Sequence, residues 1–137
     1  MYFWEVSDMA KQNVPRPTDA ELAILRVLWR RGPSTVKEVL DELAQSRPTG
    51  YTTVLKFLQI MTAKGLVTRN ESQRTHVYQA RLAEEQTQQQ LVTDLLTRAF
   101  GGSALKMVAQ ALLSKKASPE ELTQIRHMLD KLERGAK

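Results

Sequence analysis

The sequence predicts a mainly α-helical fold with one small β-hairpin, followed by a separate helical region. Two capping boxes begin helical stretches, one formed by Thr18 and Glu21 and the other by Thr35 and Glu38. In such a box each of the two side chains accepts a hydrogen bond from the other residue's backbone N–H group. A third helical stretch runs directly into two short β-prone segments, and helical spacing of apolar residues returns after Leu82.

The first two helices are defined by their caps and their apolar stripes. Pro17 precedes the first capping box, and Gly32 with Pro33 ends the helix that it begins. Residues 47–50 then form the turn into the third helix. The predicted buried residues are Leu22, Leu25, Leu28 and Trp29 in the first helix, and Val36, Val39, Leu40 and Leu43 in the second.

The third helix has one apolar face and one polar face. It is predicted to open on Thr52 and Thr53, either of which can cap it through a side-chain oxygen, and Gly65 suits a left-handed C-cap. Its apolar face comprises Val54, Phe57, Leu58 and Met61. Its other face comprises Thr52, Thr53, Lys56, Gln59 and Lys64, with Leu55 out of pattern. A helix of this kind suits the major groove of DNA.

The β-hairpin follows the third helix at once. Residues 66–69 and 74–78 are short and β-prone, and the polar residues 70–73 form the turn between them. Thr75, Val77 and Gln79 are expected on one face of the second strand. Three helices and a terminal hairpin make a winged helix-turn-helix, predicted here for residues 18–80. In such a domain the third helix enters the major groove and the wing lies over phosphates or the minor groove.

The charge pattern favours the same interpretation. The chain carries a net charge of +5, and no Asp or Glu occurs between Leu43 and Asn70. Acids would repel phosphate, so their absence is typical of a surface that faces DNA. A solvated basic helix remains the alternative on charge alone. The candidate DNA-binding residues lie around the third helix and the wing: Arg47, Thr49, Tyr51, Thr52, Thr53, Lys56, Arg69 and Arg74.

These candidates have different expected roles. Lys56 would bind guanine or phosphate, and the wing residues Arg69 and Arg74 would bind phosphate. Leu55 would contact a thymine methyl group or pack on the second helix. Tyr51 would bind phosphate through its hydroxyl or else fix the entry of the helix.

The composition excludes several classes of function. Without cysteine there is no disulfide, thiolate metal site or cysteine nucleophile. The lone residues His76 and His127 do not indicate a metal site, and no cofactor is expected. Neither a nucleophile–base pair, a carboxylate pair nor a phosphate-binding loop can be assembled, so the chain is not predicted to be an enzyme.

The start of the chain gives no targeting signal. Residues 1–17 contain Pro15 and Pro17 without helical periodicity, and they are predicted to form a flexible arm. The opening apolar run is too short for a signal peptide, and no run of about 18 apolar residues could span a membrane. A cytoplasmic protein is therefore expected.

Residues 81–137 are predicted to form a helical dimerisation region. Its helices are interrupted at residues 100–102 and capped again at Ser103 and Ser118. Their apolar stripes would leave too much surface exposed in one copy, so a second copy is the simplest partner. Packing back on the winged-helix core is the alternative. The expected dimer contacts are Leu91, Leu95, Leu96, Leu105, Val108, Leu112, Leu122, Ile125, Leu129 and Leu132.

The order of these motifs resembles the penicillinase-repressor family. The resemblance is carried by the segments LWRRGPSTVKEVLDEL and YTTVLKFLQIMTAKGLV and by a hairpin ending in VY. It extends from about Pro17 to the C-terminus and is strongest from Glu21 to Tyr78. The resemblance implies a winged-helix repressor that binds a pseudo-palindromic operator as a dimer of intertwined C-terminal helices. Thr52, Thr53 and Lys56 would then face the bases.

The resemblance also implies a way of releasing repression. In the β-lactam-responsive members, a membrane-bound sensor metalloprotease triggers cleavage just before an aromatic-Gly-Gly element, in a response to antibiotic. Ala99, Phe100 and Gly101 occupy that place here, although the family usually has Asn where Ala99 stands. The copper-responsive branch uses C-terminal cysteines, which this chain lacks. A winged-helix module that binds protein without sequence-specific DNA binding is the alternative function.

Overall fold

The computed structural model describes residues 14–135, so residues 1–13 of the predicted arm lie outside the described residues. The helices are α1 (Asp19–Arg31), α2 (Val36–Leu43), α3 (Tyr51–Lys64), α4 (Glu84–Phe100), α5 (Ala104–Ser114) and α6 (Pro119–Gly135). Between α3 and α4 the strands β1 (Val67–Asn70) and β2 (Val77–Ala80) form an antiparallel hairpin. This order confirms the predicted mainly α-helical winged helix-turn-helix.

Local hydrogen bonds set the starts of α1 and α2. The hydroxyl of Thr18 accepts from the N–H of Glu21 at 3.2 Å, and the Glu21 carboxylate accepts from the N–H of Thr18 at 2.9 Å. Thr35 and Glu38 repeat the same pair of distances at α2. Both predicted capping boxes are therefore confirmed, and each satisfies two N–H groups that a helix start leaves without partners.

The core of the winged helix is formed by α1, α2, α3 and the hairpin. The residues of α1 that are buried in this core differ in part from the predicted stripe. Ile24 and Val27, which lay outside the predicted stripe, are 2% and 3% exposed. Leu22 and Trp29, which lay inside it, are only half-buried. Trp29 lies at the edge because its indole N–H donates to the carbonyl oxygen of Leu82, 3.0 Å away.

The hairpin begins and ends later than predicted. Leu66 is not in β1, because its N–H donates to the carbonyl of Met61 at 2.9 Å and completes the end of α3. Residues 74–76 belong to the connection between the strands, and β2 runs from Val77 to Ala80. Arg69 pairs with Tyr78 in the register of the hairpin.

Tyr78 anchors the hairpin to the core. Its side chain is 1% exposed. Val77 and Gln79, which were predicted to share a face of the strand, flank it; Val77 is half-buried and Gln79 is exposed. The backbone of Tyr78 also bridges to Ser34, with N–H to carbonyl distances of 2.8 and 2.9 Å in the two directions. The segment between α1 and α2 therefore extends the hairpin by one bridge and fixes the wing against the helices.

The described residues divide into two compact units, 14–92 and 93–135, and the division lies within α4. In the first unit, Val14 is buried and its carbonyl accepts from the side chain of Gln90 at 2.7 Å. In the second unit, Gly101 and Gly102 have φ of 55° and 85° and end α4, after which Ser103 caps α5 as predicted. None of the helices described within residues 14–135 is long and apolar enough to cross a membrane.

Candidate nucleic-acid interface

The helix α3 starts one residue before the predicted threonines. Its N-cap is Gly50, in an extended conformation, whose carbonyl oxygen accepts from the N–H of Val54 at 3.1 Å. The prediction that Thr52 or Thr53 caps the helix is therefore wrong: both lie inside its first turn and are exposed. Gly50 has no side chain to serve as a cap, and within residues 14–135 the start of α3 has no side-chain cap hydrogen bond. Such a helix start can donate to an anion.

The inner face of α3 holds the helix firmly in the core. Val54, Leu58 and Met61 are at most 1% exposed. Phe57 and Leu55 are half-buried and pack against the same core. Of the two roles left open for Leu55, packing is the one that agrees with the structure, because its side chain lies against the core.

The outer face of α3 is defined by six exposed residues at helical spacing: Thr52, Thr53, Lys56, Gln59, Ile60 and Ala63. Three are polar and uncharged, one is basic, and none is acidic. The sequence interpretation included Thr52, Thr53, Lys56 and Gln59 but missed Ile60 and Ala63. Their spacing of four and seven residues from Lys56 was the signal that could have found them.

Lys64 is exposed, as predicted, but its ammonium group forms an ion pair with a buried carboxylate. Its ammonium group lies 2.8 Å from the carboxylate of Glu21, whose side chain is 2% exposed. Burial acts to raise the pKa of Glu21. The hydrogen bond and charge of Lys64, together with hydrogen bonds to Thr18, outweigh it and hold the pKa below its usual value. The pair joins the last turn of α3 to the first turn of α1 and so fixes the direction of α3.

In the wing, the side chains of Arg69 and His76 lie close to Glu71, which the sequence analysis assigned only to a polar turn. The guanidinium of Arg69 lies 3.3 Å from a carboxylate oxygen of Glu71, and the imidazole of His76 lies 3.8 Å from the same oxygen. Asn70 accepts from the N–H of Ser72 at 2.9 Å and thereby shapes the turn. Arg74 lies in the same connection and is exposed. The wing can therefore present two arginines, of which Arg69 is paired with an acid.

The remaining candidates surround the start of α3. Arg47 and Tyr51 are exposed, and Thr49 is half-buried. The N–H of Arg47 donates to the carbonyl of Leu43 at 3.1 Å, which fixes the turn after α2. The eight candidate residues thus lie in two places: around the N-terminal turns of α3 and on the wing.

The C-terminal helices present a large apolar surface. None of the residues of α5 or α6 is buried. Among the expected dimer contacts, Leu105 is 80% exposed and Leu132 is 64% exposed. Leu95, Val108, Leu112 and Leu129 are also exposed, and Leu91, Leu96, Leu122 and Ile125 are half-buried.

Comparisons with known proteins cover both units. The family model described as penicillinase repressor matches residues 17–131. Transcriptional regulator BlaI from Mycobacterium tuberculosis is 31% identical over 128 residues, which cover 93% of this chain and 91% of that protein. Penicillinase repressor from Bacillus licheniformis is 24% identical over 119 residues, which cover 87% and 93%. The solved structure of Bacillus licheniformis BlaI, in monomeric form with the blaP half-operator, is 26% identical. It covers 53% of this chain and 89% of that chain, with a TM-score of 0.47.

Proposed function

The chain belongs to the penicillinase repressor family, and from that premise we propose that it represses transcription as a homodimer on a pseudo-palindromic operator. Members of this family are DNA-binding repressors and not enzymes.

The observation that carries the proposal is the outer face of α3. It combines exposed hydroxyl, amide and ammonium groups, on a helix whose opposite face is at most 1% exposed at Val54, Leu58 and Met61. Threonine, glutamine and lysine side chains can bond base edges or phosphates in the major groove. Lys56 would bond guanine or phosphate. Arg47, Thr49 and Tyr51 would contact phosphates beside the helix, and Arg69 and Arg74 would contact them from the wing.

The apolar surface of α5 and α6 supports the dimer. Large hydrophobic residues exposed to this extent form a patch that favours an apolar partner, and a second copy supplies the same patch. One α3 reads one half-site. Two copies therefore place two α3 helices on successive major grooves of the operator, one helical turn or a multiple of it apart.

Proteolysis at the end of α4 would release repression. Ala99 is exposed and Phe100 half-buried, and both lie in the last turn of the helix, directly before Gly101 and Gly102. A cut there would separate the winged helix from α5 and α6 and so remove most of the apolar surface that holds the dimer. The family resemblance makes a membrane-bound sensor metalloprotease the expected partner for this step.

The proposal is tested by Lys56→Ala on two DNA duplexes. One is selected by the chain from a random library, and the other is of random sequence. Loss of a base contact should weaken binding to the selected duplex by ~1–3 kcal/mol and leave binding to the random one nearly unchanged. Fluorescence anisotropy at fixed salt measures both. Lys115→Ala, which removes an exposed lysine between α5 and α6, is the control for net charge.

Two outcomes would change the proposal. Equal weakening on both duplexes would assign Lys56 to phosphate and leave base recognition to other residues. If the selection enriched no duplex and the wild-type chain bound no random duplex at low salt, DNA binding would be refuted, and the protein-interaction module would be the better interpretation.

A further inference from the structure

The outer face of α3 contains an exposed apolar side chain, that of Ile60. Ile60 is 40% exposed. In the described part of the first unit, from Val14 to Val92, the exposed large hydrophobic residues are Tyr51, Ile60 and Val92. Isoleucine is among the residues most often buried in proteins. Ile60 is therefore one of few such residues exposed in this unit, and it lies on the face that carries Lys56.

Ile60 is placed to share a groove with the polar residues of that face. It follows Lys56 by four residues, which puts it on the same side of the helix, one turn further along. It directly follows Gln59, and Ala63 extends the apolar surface three residues later. No acidic residue lies between Leu43 and Asn70. This surface combines basic, amide and methyl groups without acids. Its positive charge complements the negative phosphates of DNA better than it complements most protein surfaces.

The edges of the base pairs in the major groove offer one apolar group, the 5-methyl group of thymine. An isoleucine side chain cannot donate or accept a hydrogen bond. If it covered the polar edge of another base, that edge would lose its hydrogen bonds to water without gaining new ones. From this match we infer that Ile60 determines specificity by packing against a thymine 5-methyl group in each half-site. The inference rests on the proposed DNA binding of α3.

The position of that thymine follows from helix geometry. Four residues advance an α-helix by ~6 Å, and base pairs of B-DNA are ~3.4 Å apart along the axis. The thymine therefore lies within about two base pairs of the position whose contact depends on Lys56.

The test removes the methyl group from the DNA and the side chain from the protein, separately and together. The probe is the duplex selected from a random library, with each thymine replaced in turn by deoxyuridine. With the wild-type chain, one replacement per half-site should weaken binding about fourfold, the equivalent of one buried methyl-sized group at ~0.8 kcal/mol. Ile60→Ala should weaken binding to the thymine duplex by at least as much, and the same deoxyuridine replacement should then have no further effect.

Two controls isolate the contact. Lys56→Ala should keep the full sensitivity to deoxyuridine at that position, because it leaves Ile60 in place. Thermal unfolding of Ile60→Ala should match the wild type closely, because the side chain lies on the exposed face of α3 and outside the buried core cluster.

The outcomes separate this inference from the proposed function. Wild-type binding that is insensitive to every thymine replacement would overturn the role of Ile60 and leave DNA binding intact. The same holds if Ile60→Ala keeps the wild-type sensitivity. If the wild-type chain bound no duplex at all, the proposed function would fail and this inference with it.

Discussion

Glu71→Gln is expected to strengthen DNA binding. In the wing, the Glu71 carboxylate lies 3.3 Å from the guanidinium of Arg69 and 3.8 Å from the imidazole of His76. If Arg69 contacts phosphate, it must leave or share this partner when DNA binds, and the carboxylate itself repels the backbone. The substitution removes the ion pair that Arg69 would have to give up and the repulsion between carboxylate and phosphate. It also keeps the shape of the side chain.

The magnitude follows from two small terms. An exposed ion pair of this kind is worth ~0.5 kcal/mol, and Glu71 is 57% exposed. Repulsion between its carboxylate and a phosphate ~8 Å away in water adds ~0.5 kcal/mol before screening. Together they give about fivefold tighter binding per wing. For a dimer with two wings the gain is roughly 30-fold if the wings act independently.

The assay is a titration of labelled duplex over a range of KCl concentrations. Glu71→Gln should bind more tightly, and its log–log salt slope should steepen by up to ~0.9 for each phosphate newly neutralised. Glu42→Gln is the matched control, because it also removes an acid paired with arginines, at 3.6 and 4.0 Å, but in α2. An unchanged affinity for Glu71→Gln would refute the placement of the wing on DNA. A weaker affinity would show that Glu71 instead holds Arg69 in its binding position.

Two further predictions concern stability and assembly. The folded-state pKa of Glu21 is lowered, so its ion pair with Lys64 stabilises the fold above the ordinary value of 4.5 and is lost as the pH falls through the lowered pKa. Urea unfolding should therefore show that Glu21→Gln has a free energy of unfolding lower than that of the wild type by ~1–3 kcal/mol at pH 7. This difference between the two proteins should become smaller below pH 4.5. A difference that stays constant with pH would contradict the role of the ion pair. Leu129→Glu, at an apolar position that is 50% exposed, should halve the mass measured by light scattering, and an unchanged dimer would exclude Leu129 from the interface.

The features predicted correctly from sequence are those that depend on neighbouring residues. Both capping boxes need only residues three apart, and the C-cap at Gly65 needs only a glycine after the last apolar residue. The start of α3 was missed because Thr52 and Thr53 are good caps in isolation. The extended backbone at Gly50, set by the turn after α2, decides the boundary instead.

The features missed depend on contacts between distant parts of the chain. Glu21 and Lys64 are 43 residues apart, and the bridge from Ser34 to Tyr78 joins residues that are further apart still. Periodicity places Lys64 on the polar side of its helix, but it cannot show that a buried carboxylate lies within reach. Ile60 was assigned to neither face of α3 from the sequence, although it follows Lys56 by four residues and so lies on the same side of the helix.

We propose that two copies of α3 read two half-sites of one operator. Hydroxyl-radical footprinting of the full chain on its selected duplex tests it most directly, combined with the mass of the complex. The expected result is two protected half-sites whose centres are one helical turn, ~34–36 Å, or a multiple of it apart, with two chains bound per duplex. A single protected half-site with one chain bound would contradict the dimer. The absence of any protection at low salt would contradict the reading of DNA by α3 altogether.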